Sequence, residues 1–133
     1  MLNPLSSCRL CPRRCEINRL DNEKGFCGAG KNAVVYTYGL HFGEEPPISG
    51  SKGSGAIFFS YCAARCVYCQ NYKFSQLGKG NIVSDSELAY IMLGLQKKGA
   101  HNVNLVTPTH FVPQIINAVH IARRAGFSLP IIY

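Results

Sequence analysis

The chain has 133 residues, of which 47% are hydrophobic and 16% charged, with seven cysteines, no tryptophan and a formal charge of +7. That balance excludes a disordered chain and suits one globular domain large enough for a core. No uninterrupted apolar run reaches the roughly eighteen residues of a membrane span. The start, Met1-Leu2-Asn3-Pro4, lacks a basic, apolar and small-residue leader pattern, so a reducing, cytoplasmic compartment is expected.

Residues 1–31 form a cysteine- and arginine-rich head, with Cys8, Cys11 and Cys15 close together and Cys27 further on. Gly25, Gly28 and Gly30 surround the last thiol. The segment has too few large apolar residues for a core of its own and needs a staple. Four thiolates suit a closed second metal site, and the spacing leaves structural zinc and an auxiliary iron–sulfur cluster equally open. The plain alternative is unligated core cysteines. Thiolates held by metals would also make the folded chain less positive than its bare count.

Residues 32–54 read as a strand and connecting loop. Ala33–Phe42 is β-branched and aromatic enough for a strand or hairpin arm, which Glu44-Glu45-Pro46-Pro47 ends. The stretch 50–55 is glycine-rich but lacks the Gly-Lys-Ser/Thr of a phosphate loop and precedes a strand, so a turn is expected.

Residues 55–133 alternate strand and helix. Ala56–Ser60 predicts a short buried strand, and Cys62, Cys66 and Cys69 follow it on one loop. Three thiolates so spaced could hold three irons of a four-iron, four-sulfur (4Fe-4S) cluster and leave the fourth open. A three-thiolate zinc site completed by His41, His101 or His110 and unmetallated thiols are the alternatives. Ser84 with Glu87 predicts a capping box, and Leu88, Ile91, Met92 and Leu95 give the next helix its apolar face, ended by Lys97-Lys98-Gly99. Val103–Val106 predicts a strand. Val112, Ile115, Ile116, Val119 and Ala122 predict a second helix, ended by Arg123-Arg124 and Gly126, and Leu129–Tyr133 a last strand. This order predicts parallel strands with right-handed crossovers, with functional loops at their carboxyl ends.

The Cys-x3-Cys-x2-Cys run with Tyr68 before its last cysteine resembles the signature of radical S-adenosylmethionine (radical SAM) enzymes. The stretches His41–Gly50, Gly53–Ser60, Cys69–Tyr72 and Ser75–Gln76 are similar to the pyruvate formate-lyase-activating-enzyme-like subgroup. The resemblance implies an α/β fold, the amino-terminal part of a partial (βα) barrel of parallel strands behind a small cysteine-rich metal-binding segment. It implies a 4Fe-4S cluster on Cys62, Cys66 and Cys69, and oxidoreductase chemistry by reductive cleavage of S-adenosylmethionine to a 5′-deoxyadenosyl radical. Implied partners are a one-electron donor such as flavodoxin or ferredoxin, and a glycyl radical enzyme as the protein that loses hydrogen. Tyr68 is carried over as the aromatic near the adenine, with ordinary packing as its plain alternative.

Many family members end their second strand in Gly-Gly-Glu, which binds the methionine amino group. Here Val106-Thr107-Pro108-Thr109-His110 stands in its place, and Thr107 and Thr109 are the expected cofactor contacts. His110 reads as a proton carrier, a donor or a helix cap. The family builds about six βα units, so two and a half units here read as a truncated, weakly active or inactive piece. A reading from another class is a zinc-stabilised nucleic-acid-binding module, with Arg9, Arg13, Arg14 and Arg19 beside Tyr36, Tyr38 and Phe42. Glu16, Asp21 and Glu23 interrupt that basic run and argue against it.

Overall fold

The computed structural model describes residues 3–133, so Met1 and Leu2 of the expected leaderless start lie outside the described residues. Among the described residues no helix is long and apolar enough to cross a membrane.

Five strands form one sheet in the order β3-β1-β2-β4-β5. The strands are β1 (Ala33–His41), β2 (Ser54–Phe59), β3 (Asn81–Val83), β4 (Val103–Val106) and β5 (Ile131–Ile132). Strand β2 is central and almost wholly buried, as its run of small and apolar residues predicts. It pairs in parallel with β4, Ile57 opposite Leu105, and β4 pairs in parallel with β5. The second residue of β2 is Gly55, where a Cβ would lie 2.8 Å from the Asn102 carbonyl oxygen. Beside it the buried Ser54 hydroxyl bonds Asn102 at 2.5 Å, and Asn102 donates to the Ile48 carbonyl at 2.8 Å.

The short helices α1 (Pro46–Ser49) and α2 (Tyr72–Ser75) sit in the connections, and two longer helices build the core. Helix α3 (Asp85–Lys97) begins with the complete capping box, the Ser84 and Glu87 side chains each accepting from the other's backbone amide. The Ser84 amide first, and then the Ser84 hydroxyl, donate to the exposed Glu87 carboxylate and hold its pKa below the usual range. Leu88, Ala89, Met92 and Leu95 face inward. Helix α4 (Val112–Arg124) carries Pro113 in its first turn and buries Ile115, Ala118 and Ala122. Arg123 closes it by donating to the Phe127 and Leu129 carbonyls, each at 2.9 Å. Both helices pack against Ile57, Phe59, Val103 and Leu105, with the Phe59 and Phe111 rings 5.9 Å apart.

The partial-barrel expectation is corrected. The sheet is open and mixed, because β1 lies antiparallel to β2 and occupies the side of β2 away from β4. Strand β3, which the sequence did not suggest, then pairs antiparallel to β1. The strand expected over Leu129–Tyr133 is confined to Ile131–Ile132.

Phe59 sits at the junction of the central strand, Phe111 and the helices. Phe59→Ala is expected to lower unfolding free energy by about 3–5 kcal/mol in urea titrations, whereas the exposed Tyr90→Ala should change it by less than about 0.5 kcal/mol.

Candidate functional site

The parallel strands β2 and β4 run side by side and release their chains at one rim. Tyr61, two residues past β2, and Thr107, one past β4, both have left-handed backbones, with φ of 68° and 60°. For an aromatic and a β-branched residue that conformation is strained. Arg14, Glu16 and Arg65, in the segments that border this rim, share it. The sixth such residue, Asn22 with φ of 64°, ends the Arg19–Asp21 turn, where asparagine adopts this backbone readily.

The head folds onto that rim. Its first half is a small hairpin, in which the Cys8 amide donates to the Ile17 carbonyl and the Glu16 amide to the Cys8 carbonyl, both at 2.9 Å. Arg19 ties the hairpin to the sheet domain. It is 1% exposed, donates to the Gly30 carbonyl through two nitrogens at 2.9 and 2.5 Å, and reaches the His110 carbonyl at 2.7 Å. Its guanidinium also lies 3.9 Å from the Cys8 sulfur. Among the described residues no carboxylate pairs with it. A second attachment uses Phe26, whose ring lies 3.6 Å under the Arg13 guanidinium and whose carbonyl accepts from Arg65 at 3.0 Å. Arg13 also extends Nε toward the Ala63 carbonyl at 3.4 Å.

Between head and rim is a cavity of about 470 Å³. Three segments distant in sequence line it: Cys11–Arg13 of the head, Cys62–Ala64 after β2, and Thr107, Thr109 and His110 after β4. The Thr109 hydroxyl accepts from the Tyr133 phenol at 3.0 Å. A second void, only about 20 Å³, lies deeper in the head, with Cys8, Cys11, Cys15 and Cys27 all on its wall.

His110 borders both spaces and is 2% exposed. One ring nitrogen, Nε2, faces the Ser60 carbonyl at 2.8 Å, which assigns its proton there. Nδ1 is buried without a protein partner. Burial first, and then the nearby Arg19 charge, pushes the His110 pKa down to about 4, although the Ser60 bond opposes the shift. Burial likewise pushes the Cys27 thiol up, against its bond from the Ala29 amide and the Arg19 charge.

The metal and cofactor expectations are overturned by where the thiols point. Among the described residues no group of three or more cysteine, histidine or acidic side chains is placed to hold a metal ion. Each thiol of the central triplet has a separate local environment. Cys62 accepts from the Ala64 amide at 3.4 Å, Cys66 is exposed, and Cys69 meets the Ser75 hydroxyl at 3.3 Å. The head thiols border one void without assembling into a ligand set. The residues therefore do not fit a 4Fe-4S cluster, zinc or an auxiliary cluster. With the open sheet, this removes the support for the radical SAM resemblance, for cleavage of S-adenosylmethionine and for oxidoreductase activity. The flavodoxin or ferredoxin donor, the glycyl radical enzyme partner and the zinc-stabilised nucleic-acid module lose their support with it.

Thr107 and Thr109 do line the large cavity, whereas Tyr68 is 87% exposed and stands outside its lining. The sequence reading did not single out the clamping roles of Arg13, Arg19 and Phe26. Arginines so rich in neighbouring charge read as a solvated face, and no local pattern marks Arg19 as the buried one.

No protein-family model matches the chain, and no solved structure matches it. The chain is similar to an uncharacterized protein of Methanocaldococcus jannaschii, 40% identical over 75 residues. That match covers 56% of this chain and 21% of the relative, so the chain spans about a fifth of that protein's length.

The His110 shift sets a pH dependence. Above pH 6.5 the ring is neutral in both folded and unfolded chains. Between pH 6.5 and about 4 only the unfolded chain takes up the proton, so stability is lost as pH falls, by roughly 3 kcal/mol in all. His110→Gln keeps a donor for Ser60 and removes the titration. Urea titrations across this range should show a shallower pH slope in the variant, and an unchanged slope would refute the assignment.

Proposed function

We propose that this chain binds a small organic anion in the 470 Å³ cavity between head and rim, and that Thr107 and Thr109 contact the ligand. The volume lies within the usual range for small-molecule sites, and in open α/β sheets ligands bind beyond the carboxyl ends of parallel strands. Pro12, Ala63 and Ala64 provide apolar wall, and Arg13 provides the cation. The Phe26 ring and the Ala63 carbonyl hold that guanidinium in one place, so little freedom is lost when an acidic group binds it. The observation that carries the reading is the convergence of three separate segments on one cavity, with a fixed cation and two hydroxyls at an apolar wall. The strain at Tyr61 and Thr107 agrees with it, because strained backbone persists where a site requires it. In this reading the head, residues 1–31, is the cover of the site. Seven unpaired thiols support a cytoplasmic location.

The anionic dye 8-anilinonaphthalene-1-sulfonate, apolar with one sulfonate, is a suitable reporter. Its fluorescence should saturate on the folded protein with one site. Arg13→Ala should weaken binding about tenfold, equivalent to about 1.4 kcal/mol, and Ala64→Trp, which fills the entrance from an exposed position, should abolish it. Near-UV circular dichroism checks that each variant remains tightly folded, since the dye also marks loosened cores. Wild-type affinity in both folded variants would place the dye elsewhere and sink the proposal.

A further inference from the structure

A further cavity, of about 340 Å³, has no lining residue in common with the one at the rim. Three segments meet around it: residues 22–34, Tyr61 after β2, and residues 78–82, which lead into β3. Lys24 and Lys31 bring two ammonium groups to its wall, Asn22, Asn32 and Tyr61 bring neutral polar groups, and no lining residue is acidic. The Lys24 side chain folds back onto the bare Gly30 backbone, where a Cβ would lie 2.5 Å from its Nζ. The acids nearest in sequence are engaged elsewhere. Asp21 accepts from the Asn18 side-chain amide and Glu23 from the Asn18 backbone amide, both at 2.7 Å. Among the described residues no carboxylate pairs with either lysine. Tyr61, strained at φ of 68°, lines this cavity, while the next residue, Cys62, lines the other. Gly28 and Gly78 make room for the Tyr61 side chain, because a Cβ at Gly28 would lie 3.1 Å from its ring and one at Gly78 2.8 Å from its hydroxyl. The phenol is thereby held in one place.

From this arrangement we infer that the cavity binds a small phosphomonoester, with Lys24 and Lys31 on its phosphate. Two ammonium groups with no acid beside them match an anion of nearly two charges, which a phosphate ester is at neutral pH because its second pKa is about 6. Lysine serves such a group as a point charge. A carboxylate or sulfonate, with one charge, leaves one ammonium unanswered. The asparagine amides and the Tyr61 hydroxyl are donors for phosphate oxygens and acceptors for hydroxyls on the esterified part. The volume lies within the range of small-molecule sites, which leaves space for that part beside Val34 and Ile82.

Glycerol 2-phosphate is a suitable probe, since it presents a phosphate dianion and no apolar body suited to the rim cavity. In proton–nitrogen correlation spectra of the wild-type protein, the largest shifts should fall on the amides of residues 22–32 and 78–82 and should saturate. Calorimetry should give one site, weakened about tenfold by Lys24→Ala and about tenfold by Lys31→Ala. Lys97→Ala, an exposed lysine at the end of α3, should leave it unchanged. Isethionate, a hydroxyethyl sulfonate with one charge, should bind about tenfold more weakly or less. Shifts that never saturate, that follow lysines over the whole surface, or that are largest at residues 11–13 and 107–110 would each overturn the inference. So would wild-type affinity in both pocket variants, or inorganic phosphate or isethionate binding as tightly as the ester. The spectra need no variant, so they decide the place of binding even if a lysine variant fails to fold.

Discussion

Arg19 is a guanidinium removed from water, received by backbone carbonyls, a thiol and the face of the Phe111 ring. An isolated buried charge is strongly unfavourable, and hydrogen bonds to a charged donor are each worth about 1.5–3 kcal/mol. The Gly30 and His110 carbonyls supply them from opposite sides, one at the end of the head and one at the turn after β4. Arg19 can be satisfied only when head and sheet domain are already docked. That requirement turns a segment too poor in apolar residues to fold alone into a fixed cover over the carboxyl rim. It also sets the environment of His110, on whose ring its positive field disfavours a proton.

The docked head explains why the rim is strained. Parallel strands normally hand over to helices through loops that relax freely, but the exits of β2 and β4 must meet the head as well as each other. The Ser60 carbonyl is taken by His110, and the Tyr61 amide by the Phe74 carbonyl at 2.8 Å. With both neighbours fixed, Tyr61 accepts a left-handed backbone. Thr107 does the same one residue beyond β4, just before the turn that places His110 and Phe111 in the interior. The cavity's walls are fixed by contacts of their own, with Arg13 on the Phe26 ring and the Ala63 carbonyl and Thr109 on Tyr133.

What could be read from the sequence follows the range of the forces involved. The capping box at Ser84 and Glu87 and the apolar stripes of α3 and α4 depend on neighbours three or four residues away, and they appear where the pattern placed them. Strand β3 does not have a pattern of its own. It is three residues long with Ile82 70% exposed, and it is a strand because β1 offers an edge. The direction of β1 was equally illegible, since alternation marks a strand but not whether its partner is parallel. Arg19 and Phe26 were missed for the same reason, because their partners lie across the chain or in the backbone.

The cysteines show this limit most sharply. Spacing states how close two Cα atoms can come along the chain, while ligation depends on where the sulfurs converge. In the 62–69 loop each sulfur has its own surroundings: an amide two residues on, solvent, or a hydroxyl in α2. A loop that returns to the sheet through α2 aligns Cys69 with Ser75, and the left-handed Arg65 turns the chain just before Cys66. The head thiols share a wall without assembling into a ligand set. Cys8 and Cys27 are far apart in sequence and belong to no short motif, yet the Arg19 clamp sets both on the wall of one small void. That placement depends on a buried cation, which no cysteine spacing could have announced.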